Sequence, residues 1–269
     1  MPISDVNGVT LNYRFDGPPR GEVIIFSHSL ASDLTMWDDQ IPPLAKAGCR
    51  ILRYDSRGHG RSSVPSGPYT IEMLTSDVVG LMDYLGLNQV HFCGISLGGM
   101  VGQMLGALHG NRLLSLTLCN TLSHIAQPKE MDEHIALVVN MGISWVAIVT
   151  GTQWFTEIGE ELPVAFERTR DRIYGTFEEG YIGSALAIRD MDLREIIKDI
   201  SVRTLIIVGE KDQETPVSVA EYIHEKIQSS VLEVIPNAGH FVNVQQTSIF
   251  NDILLEFLSG RTVSGGLGS

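Results

Sequence analysis

The sequence predicts an α/β fold, a mostly parallel sheet covered by helices on both faces, with a helical insertion late in the chain. Three observations carry this. Continuous apolar runs such as Arg50 to Tyr54 and Leu114 to Cys119 alternate with stretches of helical period, as strands buried on both faces do when helices connect them. From Leu122 to Lys198 the alternation stops and only helical periodicity remains, and after that strand-like runs resume. The polar, glycine-containing segments follow the apolar runs, at what become the carboxyl ends of parallel strands, where such sheets hold their ligands. A length of 269 residues with 43% hydrophobic content suits one large domain with an insertion.

The elements follow in order. Asn7-Gly8 separates Ile3–Val6 from Val9–Phe15, in which Leu11, Tyr13 and Phe15 alternate with polar residues, so an antiparallel hairpin at a sheet edge is expected. After the turn at residues 17–21, Glu22 to Phe26 reads as a buried strand, and a helix is expected near Trp37 to Ala47. Arg50 to Tyr54 is the next strand, ending in the polar loop Asp55 to Ser63. Thr70 caps a helix to about Leu85, with Gly86 just past its end. Strands follow at Val90 to Ile95 and at Leu114 to Cys119. Beyond the insertion come a strand at Arg203 to Val208, a helix at Val217 to Ile227, a strand at Val231 to Ile235 and a closing helix at Thr247 to Leu258. The division expected is a core of residues 1–121 and 199–258, a helical cap of 122–198, and a flexible Gly/Ser-rich tail of 259–269.

A net charge of −13 disfavours nucleic acid and anionic membrane surfaces as partners and leaves a small molecule as the expected one. The three cysteines have no paired spacing, and Cys93 and Cys119 lie in strand-like runs, so they read as small core residues in a reducing compartment. The N-terminal stretch lacks secretory character, and the most apolar run, Ile135 to Val149, is too short to span a bilayer and is broken by Asn140 and Gly142. A soluble cytoplasmic protein is the expectation. Oligomeric state is not legible.

The chemistry centres on Val90-His91-Phe92-Cys93-Gly94-Ile95-Ser96-Leu97-Gly98-Gly99. Gly-x-Ser-x-Gly between a strand and a helix is the context in which a serine sits on a tight turn with its hydroxyl projecting from the sheet. That turn places Ser96 at a helix N-terminus, whose open N–H groups favour developing negative charge. A serine hydroxyl needs a positioned base, and the base needs an orienting acid, in the chain order Ser, Asp/Glu, His. Of eight histidines, only His240 follows the last strand in a glycine-containing loop, and it is assigned as the base. Glu210, Asp212 and Glu214 compete for the acid, and Asp212 is chosen; the other common position, after Cys119, has Asn120. The amide of Leu97 and that of Leu30, with Ser29 the neighbouring choice, are the expected oxyanion donors. His28 and His59 read as structural groups bonding loop backbones. No histidine pair has metal-ligand spacing, and this chemistry needs no metal or cofactor.

With these residues in place, the chain resembles the α/β-hydrolase superfamily over nearly its whole length, and within it the 3-oxoadipate enol-lactonases. The likeness rests on Tyr13 to Pro18, Ser29-Leu30 with Met36-Trp37, Leu52 to Gly60, Gly67-Pro68-Tyr69, His91 to Met100, Cys119 to Thr121, and Ala187 to Asp190 with Leu193-Arg194-Glu195. The middle of the cap, from Ser123 to Ile182, departs most. The resemblance implies hydrolysis of a small enol-lactone through an acyl-enzyme on Ser96. Ser29, Trp37, Trp145, Trp154 and Arg189 are candidates for the substrate pocket. Arg189 would hold a substrate carboxylate, the alternative being a salt bridge to Asp190 or Asp192. Other readings on the same fold are a carboxylesterase or perhydrolase, a hydrolase of a secondary metabolite, and a slow-turnover ligand receptor.

Overall fold

A computed structural model describes residues 3–154 and 163–260, and between residues 150 and 163 no side chain is described. Eight strands form one sheet: β1 (Ile3–Val6), β2 (Val9–Asp16), β3 (Val23–Ser27), β4 (Arg50–Tyr54), β5 (Val90–Ile95), β6 (Leu113–Cys119), β7 (Thr204–Gly209) and β8 (Ser230–Ile235). Their order across the sheet is β1-β2-β4-β3-β5-β6-β7-β8. The hairpin of β1 and β2 is antiparallel and lies at the edge as expected, and every pairing from β4 to β8 is parallel. Asn7 (φ 50°) and Gly8 (φ 74°) both turn left-handed, the geometry a two-residue hairpin turn requires.

The chain steps from β3 to β4 on one side, then returns to place β5 on the other side of β3. The loops leaving β3 and β5 therefore diverge at their carboxyl ends, and that divergence opens a crevice.

Helices cover both faces: α1 (Ile41–Lys46), α2 (Ile71–Tyr84), α3 (Leu97–His109), α4 (Pro128–Met141), α5 (Ile143–Trp154), α6 (Pro163–Tyr174), α7 (Glu178–Asp190), α8 (Val217–Lys226), α9 (Val242–Gln245) and α10 (Thr247–Leu258). Strand residues divide between two cores by the two-residue period. Val23 and Ile25 of β3, Phe92 of β5 and Ile206 and Val208 of β7 join the core under α2, α3 and α8. Ile24, Phe26, Cys93, Ile95, Leu205 and Ile207 join the one that holds Leu44, Phe250 and Leu254 from α1 and α10. Cys93 and Cys119 are buried in that second core with sulfurs 4.0 Å apart, and burial pushes the Cys93 thiol up.

The expected helix at Trp37–Ala47 is two pieces, a 3₁₀ segment at Leu34–Gln40 and then α1. Asp33 caps the first piece, accepting from the Thr35 amide at 2.7 Å. Pro42 and Pro43 have no N–H to give to a preceding turn, so the α-helix can start no earlier than where they occupy its first turn. The four-residue α9 is too short for periodicity to reveal. The expected flexible tail falls mainly on residues 261–269, outside the described residues.

Helices α4 to α7 lie between β6 and β7, with a third cluster of Val138, Val146, Ala147, Ile173, Tyr181 and Ala185 among them. At Gly142 (φ 77°) α4 meets the first part of α5 at 119°. Among the described residues no single helix is long and apolar enough to cross a membrane. Helix α7 seats on the first half of the chain by close backbone approach: a Cβ on Gly180 would strike the Gly58 carbonyl. Tyr69 packs over Gly183, and its amide donates to the Gly183 carbonyl at 3.2 Å. Replacing Gly180 by Ala is expected to cost about 1–3 kcal/mol by overpacking, read as a lower urea midpoint at unchanged slope.

Candidate active site

The site is built where β3, β5, β6, β7 and β8 end. Ser96 closes β5 and opens α3 with φ 55° and ψ −116°, a strained conformation for a residue with a side chain. The surroundings over-determine it. The Ser96 amide donates to the Cys119 carbonyl at 2.9 Å, and the Thr121 hydroxyl donates to the Ser96 carbonyl at 2.9 Å. A Cβ on Gly94 would run into the Gly98 carbonyl, and one on Gly98 into the Ser27 carbonyl, so neither position admits a larger residue at this spacing. Ser96 opens into a cavity of about 720 Å³ that His240, Ser29 and Leu30 also line.

Asp212 and His240 come together from the loops after β7 and β8. His240 Nδ1 lies 2.9 Å from Asp212 Oδ2. A carboxylate only accepts, so Nδ1 carries the proton and Nε2 is the basic nitrogen. Oδ2 also accepts from Asn120 Nδ2 at 2.6 Å and from the Thr215 hydroxyl at 2.5 Å. Oδ1 accepts from the amides of Glu214 (2.9 Å) and Thr215 (3.1 Å). Burial alone would raise the Asp212 carboxyl, but the facing His240 and the hydrogen bonds outweigh it and hold the group well below the usual carboxylate range. Burial likewise opposes the charged form of His240, yet the Asp212 carboxylate prevails and raises it above the ordinary imidazole value. Asn120, which stands where an acid is elsewhere found, donates to Asp212 from a left-handed backbone (φ 40°).

Leu97 is the first residue of α3, where amides have no intrahelical acceptor. Leu30 lies in the loop after β3, which two histidines hold. His28 accepts the Ser56 amide at Nε2 (3.0 Å) and donates from Nδ1 to the Ser29 carbonyl (2.7 Å). His59 accepts the Ala31 amide at Nε2 (3.3 Å) and donates from Nδ1 to the Arg57 carbonyl (3.2 Å). Burial, reinforced by nearby His28, pushes His59 down to about 3, so it stays a neutral acceptor. Arg57 makes two hydrogen bonds of 2.6 Å to the Asp77 carboxylate and so ties this loop to α2.

Of the other pocket candidates, Ser29 and Trp145 line the cavity. Trp37 does not. It is fully buried between Phe26 (ring centroids 4.6 Å apart) and Phe250 (6.2 Å), on the sheet face packed by α10, because the 3₁₀ segment turns it under the sheet. Arg189 does not line it either: at the end of α7 it points outward to Asp132 (2.7 Å) and Asp190 (2.7 Å). Asp132, 57 residues away in sequence, is the partner no local pattern could supply. The side chain of Trp154 lies outside the described residues.

The cavity also holds residues that sequence reasoning missed. His134 of α4 and Tyr181 of α7 meet at 2.5 Å, with Trp145 edge-on to the His134 ring at 5.1 Å. These come from three helices with no shared spacing, and only their packing brings them together. Glu214, weighed above only as an acid for His240, lines the cavity instead. Among the described residues no group of three or more His, Cys, Asp or Glu is placed to hold a metal ion.

A nucleophile-elbow serine at a switch point of a parallel sheet, beside a histidine–aspartate pair, defines a class. The chain belongs to the α/β hydrolases. The family model for the α/β hydrolase fold matches residues 22–146. The chain is 36% identical to 3-oxoadipate enol-lactonase 2 of Acinetobacter baylyi over 90% of its own length and 91% of that protein's. It is 32% identical to 3-oxoadipate enol-lactonase 1 of the same organism, over 95% and 96%. The crystal structure of the enol-lactonase from Burkholderia xenovorans LB400 superposes with a TM-score of 0.93 at 36% identity, covering 96% of this chain and all of that one.

The raised His240 sets a pH profile. A general base works neutral, so with His240 in that role kcat/KM for an ester is expected to fall as pH drops through a midpoint above about 6.5, the unperturbed imidazole value. Asp212→Asn removes the charge that raises His240. The acid limb then moves to lower pH, and kcat falls on the order of 10³–10⁴-fold as the tautomer is lost. A pH–rate series on both proteins checks this.

Proposed function

We propose that this chain cleaves a small lactone or ester through an acyl-enzyme on Ser96, with His240 as base, Asp212 as its orienting acid, and the Leu30 and Leu97 amides as oxyanion donors. The single observation that carries the reading is that His240, held 2.9 Å from Asp212, lines one cavity with the elbow serine. An enol-lactone is the substrate class, with 3-oxoadipate enol-lactone, the compound in the relatives' names, as the reference.

Ser96 Oγ attacks the ring carbonyl as His240 Nε2 takes its proton, and the tetrahedral oxyanion is met by the two amides. The ring C–O bond breaks, and the enol oxygen leaves as an enolate that takes the proton from His240 Nε2, which returns the base to its neutral form, and becomes a ketone, which makes it a good leaving group. Water, deprotonated by His240, then attacks the acyl-enzyme and frees Ser96 and a carboxylate. Helices α4 to α7 act in this proposal as a cap, residues 122–198, over a core of residues 1–121 and 199–258. Three cysteines without pairing spacing support a cytoplasmic location as part of the same proposal.

p-Nitrophenyl acetate is expected to give a burst of one nitrophenolate per chain followed by slower turnover. Ser96→Ala is expected to remove the burst and lower kcat/KM by about 10⁴-fold or more, on the acetate and on an enol-lactone alike. Full activity in Ser96→Ala would overturn the assignment.

A further inference from the structure

The enol-lactone of 3-oxoadipate carries a carboxylate, and a carboxylate taken out of water calls for a paired cation. Among the described residues no arginine or lysine lines this cavity, and its apolar wall includes Leu30, Met100, Leu122, Trp145, Tyr181 and Ile188. Residues 150–162 contain no arginine or lysine in sequence. The arginines of the insertion that could have turned inward are engaged. Arg189 is held by Asp132 and Asp190, Arg194 by Asp192 at 2.5 Å, and Arg172 by the Thr35 hydroxyl and carbonyl, each at 3.0 Å.

The charges that do face the cavity are negative. Glu130 and Glu214 stand at its exposed rim. Glu214 also sits three residues ahead of α8. Its field reaches inward, favouring the protonated forms of Tyr181, His134 and His240. Two histidines besides His240 line the space. His134 is held neutral chiefly by burial, and it spends Nε2 on the Tyr181 hydroxyl. His124 pairs in a backbone β-bridge with Asp192, just beyond α7.

Resting on the hydrolase reading above, we infer that the substrate of this chain is an uncharged lactone or ester, lacking the carboxylate of the 3-oxoadipate lactone. Its apolar body lies on the aliphatic and aromatic wall, and a neutral oxygen meets the His134–Tyr181 pair. The acidic rim discriminates against anions at the mouth, so a carboxylated analogue suffers in KM as well as in kcat/KM.

The test uses the full chain with p-nitrophenyl valerate and mono-p-nitrophenyl glutarate, acyl groups of equal length that differ in a terminal methyl against a carboxylate. Each rate is normalised to that ester's own hydroxide-catalysed rate. 3-Oxoadipate enol-lactone and its methyl ester form the second pair. The neutral member is expected to win by about 30-fold or more in kcat/KM, and the ratio is expected to shrink as salt rises from about 0.02 to 0.5 M, since exposed rim charges are screened. Glu214→Gln is expected to narrow the ratio severalfold by lowering KM for the charged ester. Equal or better turnover of the charged members, with Ser96→Ala inactive on both, overturns the inference and leaves the hydrolase reading standing. If a folded protein cleaves neither pair, the hydrolase reading fails and this inference with it.

Discussion

The β5–α3 turn is the constraint on which the rest depends. A helix must leave a strand so abruptly that the Gly98 backbone touches Ser27 of the neighbouring strand and Gly94 touches Gly98. Only glycine permits both approaches, and Ser96 between them is forced to φ 55°. Such a conformation costs about 1–3 kcal/mol and persists because β3, β5 and β6 fix it from both sides. The Cys119 carbonyl and the Thr121 hydroxyl, one strand over, clamp the Ser96 backbone. The serine is thereby presented at the one place where the sheet's connections part.

Around that turn the polar groups are arranged so that buried charges are met. Asp212 accepts five hydrogen bonds, one from His240 and four from Asn120, Thr215 and the Glu214 amide, so its carboxylate stays ionised despite burial. Beneath the loop that carries Leu30 the solution is the opposite. His28 and His59 each accept one backbone amide and donate to one backbone carbonyl, which fixes the loop, and burial holds His59 neutral. Fully buried Arg53 follows the first pattern, paired to Asp16 at 2.7 Å and to Asp38 at 2.6 Å.

The insertion supplies much of the cavity wall. Glycines on α7 let it lie against the Arg57–Gly58 loop and Tyr69, and this anchors one wall of the cavity to the same loop that His59 and Asp77 hold. The wall facing Ser96 is apolar with one neutral hydrogen-bonding pair, and acid stands at the rim.

The strands, most of the helices and the elbow were legible in the sequence because they rest on local rules: the two-residue alternation of buried strands, Thr70 as a cap, Asn7-Gly8 as a hairpin turn, and glycines two residues either side of Ser96. Asp212 and His240 were legible because chain order and loop position on this topology leave few alternatives. What local rules do not reach is which surfaces meet. Trp37 sits in a helical stretch with apolar neighbours and goes under the sheet, since two prolines reset the helix that carries it. Arg189 finds Asp132 on another helix, and His134 finds Tyr181 in the same way. Side chains 47 and 57 residues apart are joined only by tertiary packing, because a helix's own period relates residues three and four apart. The sequence by itself determined the fold class and the chain order of Ser96, Asp212 and His240. Only the tertiary structure decided which charges face the cavity.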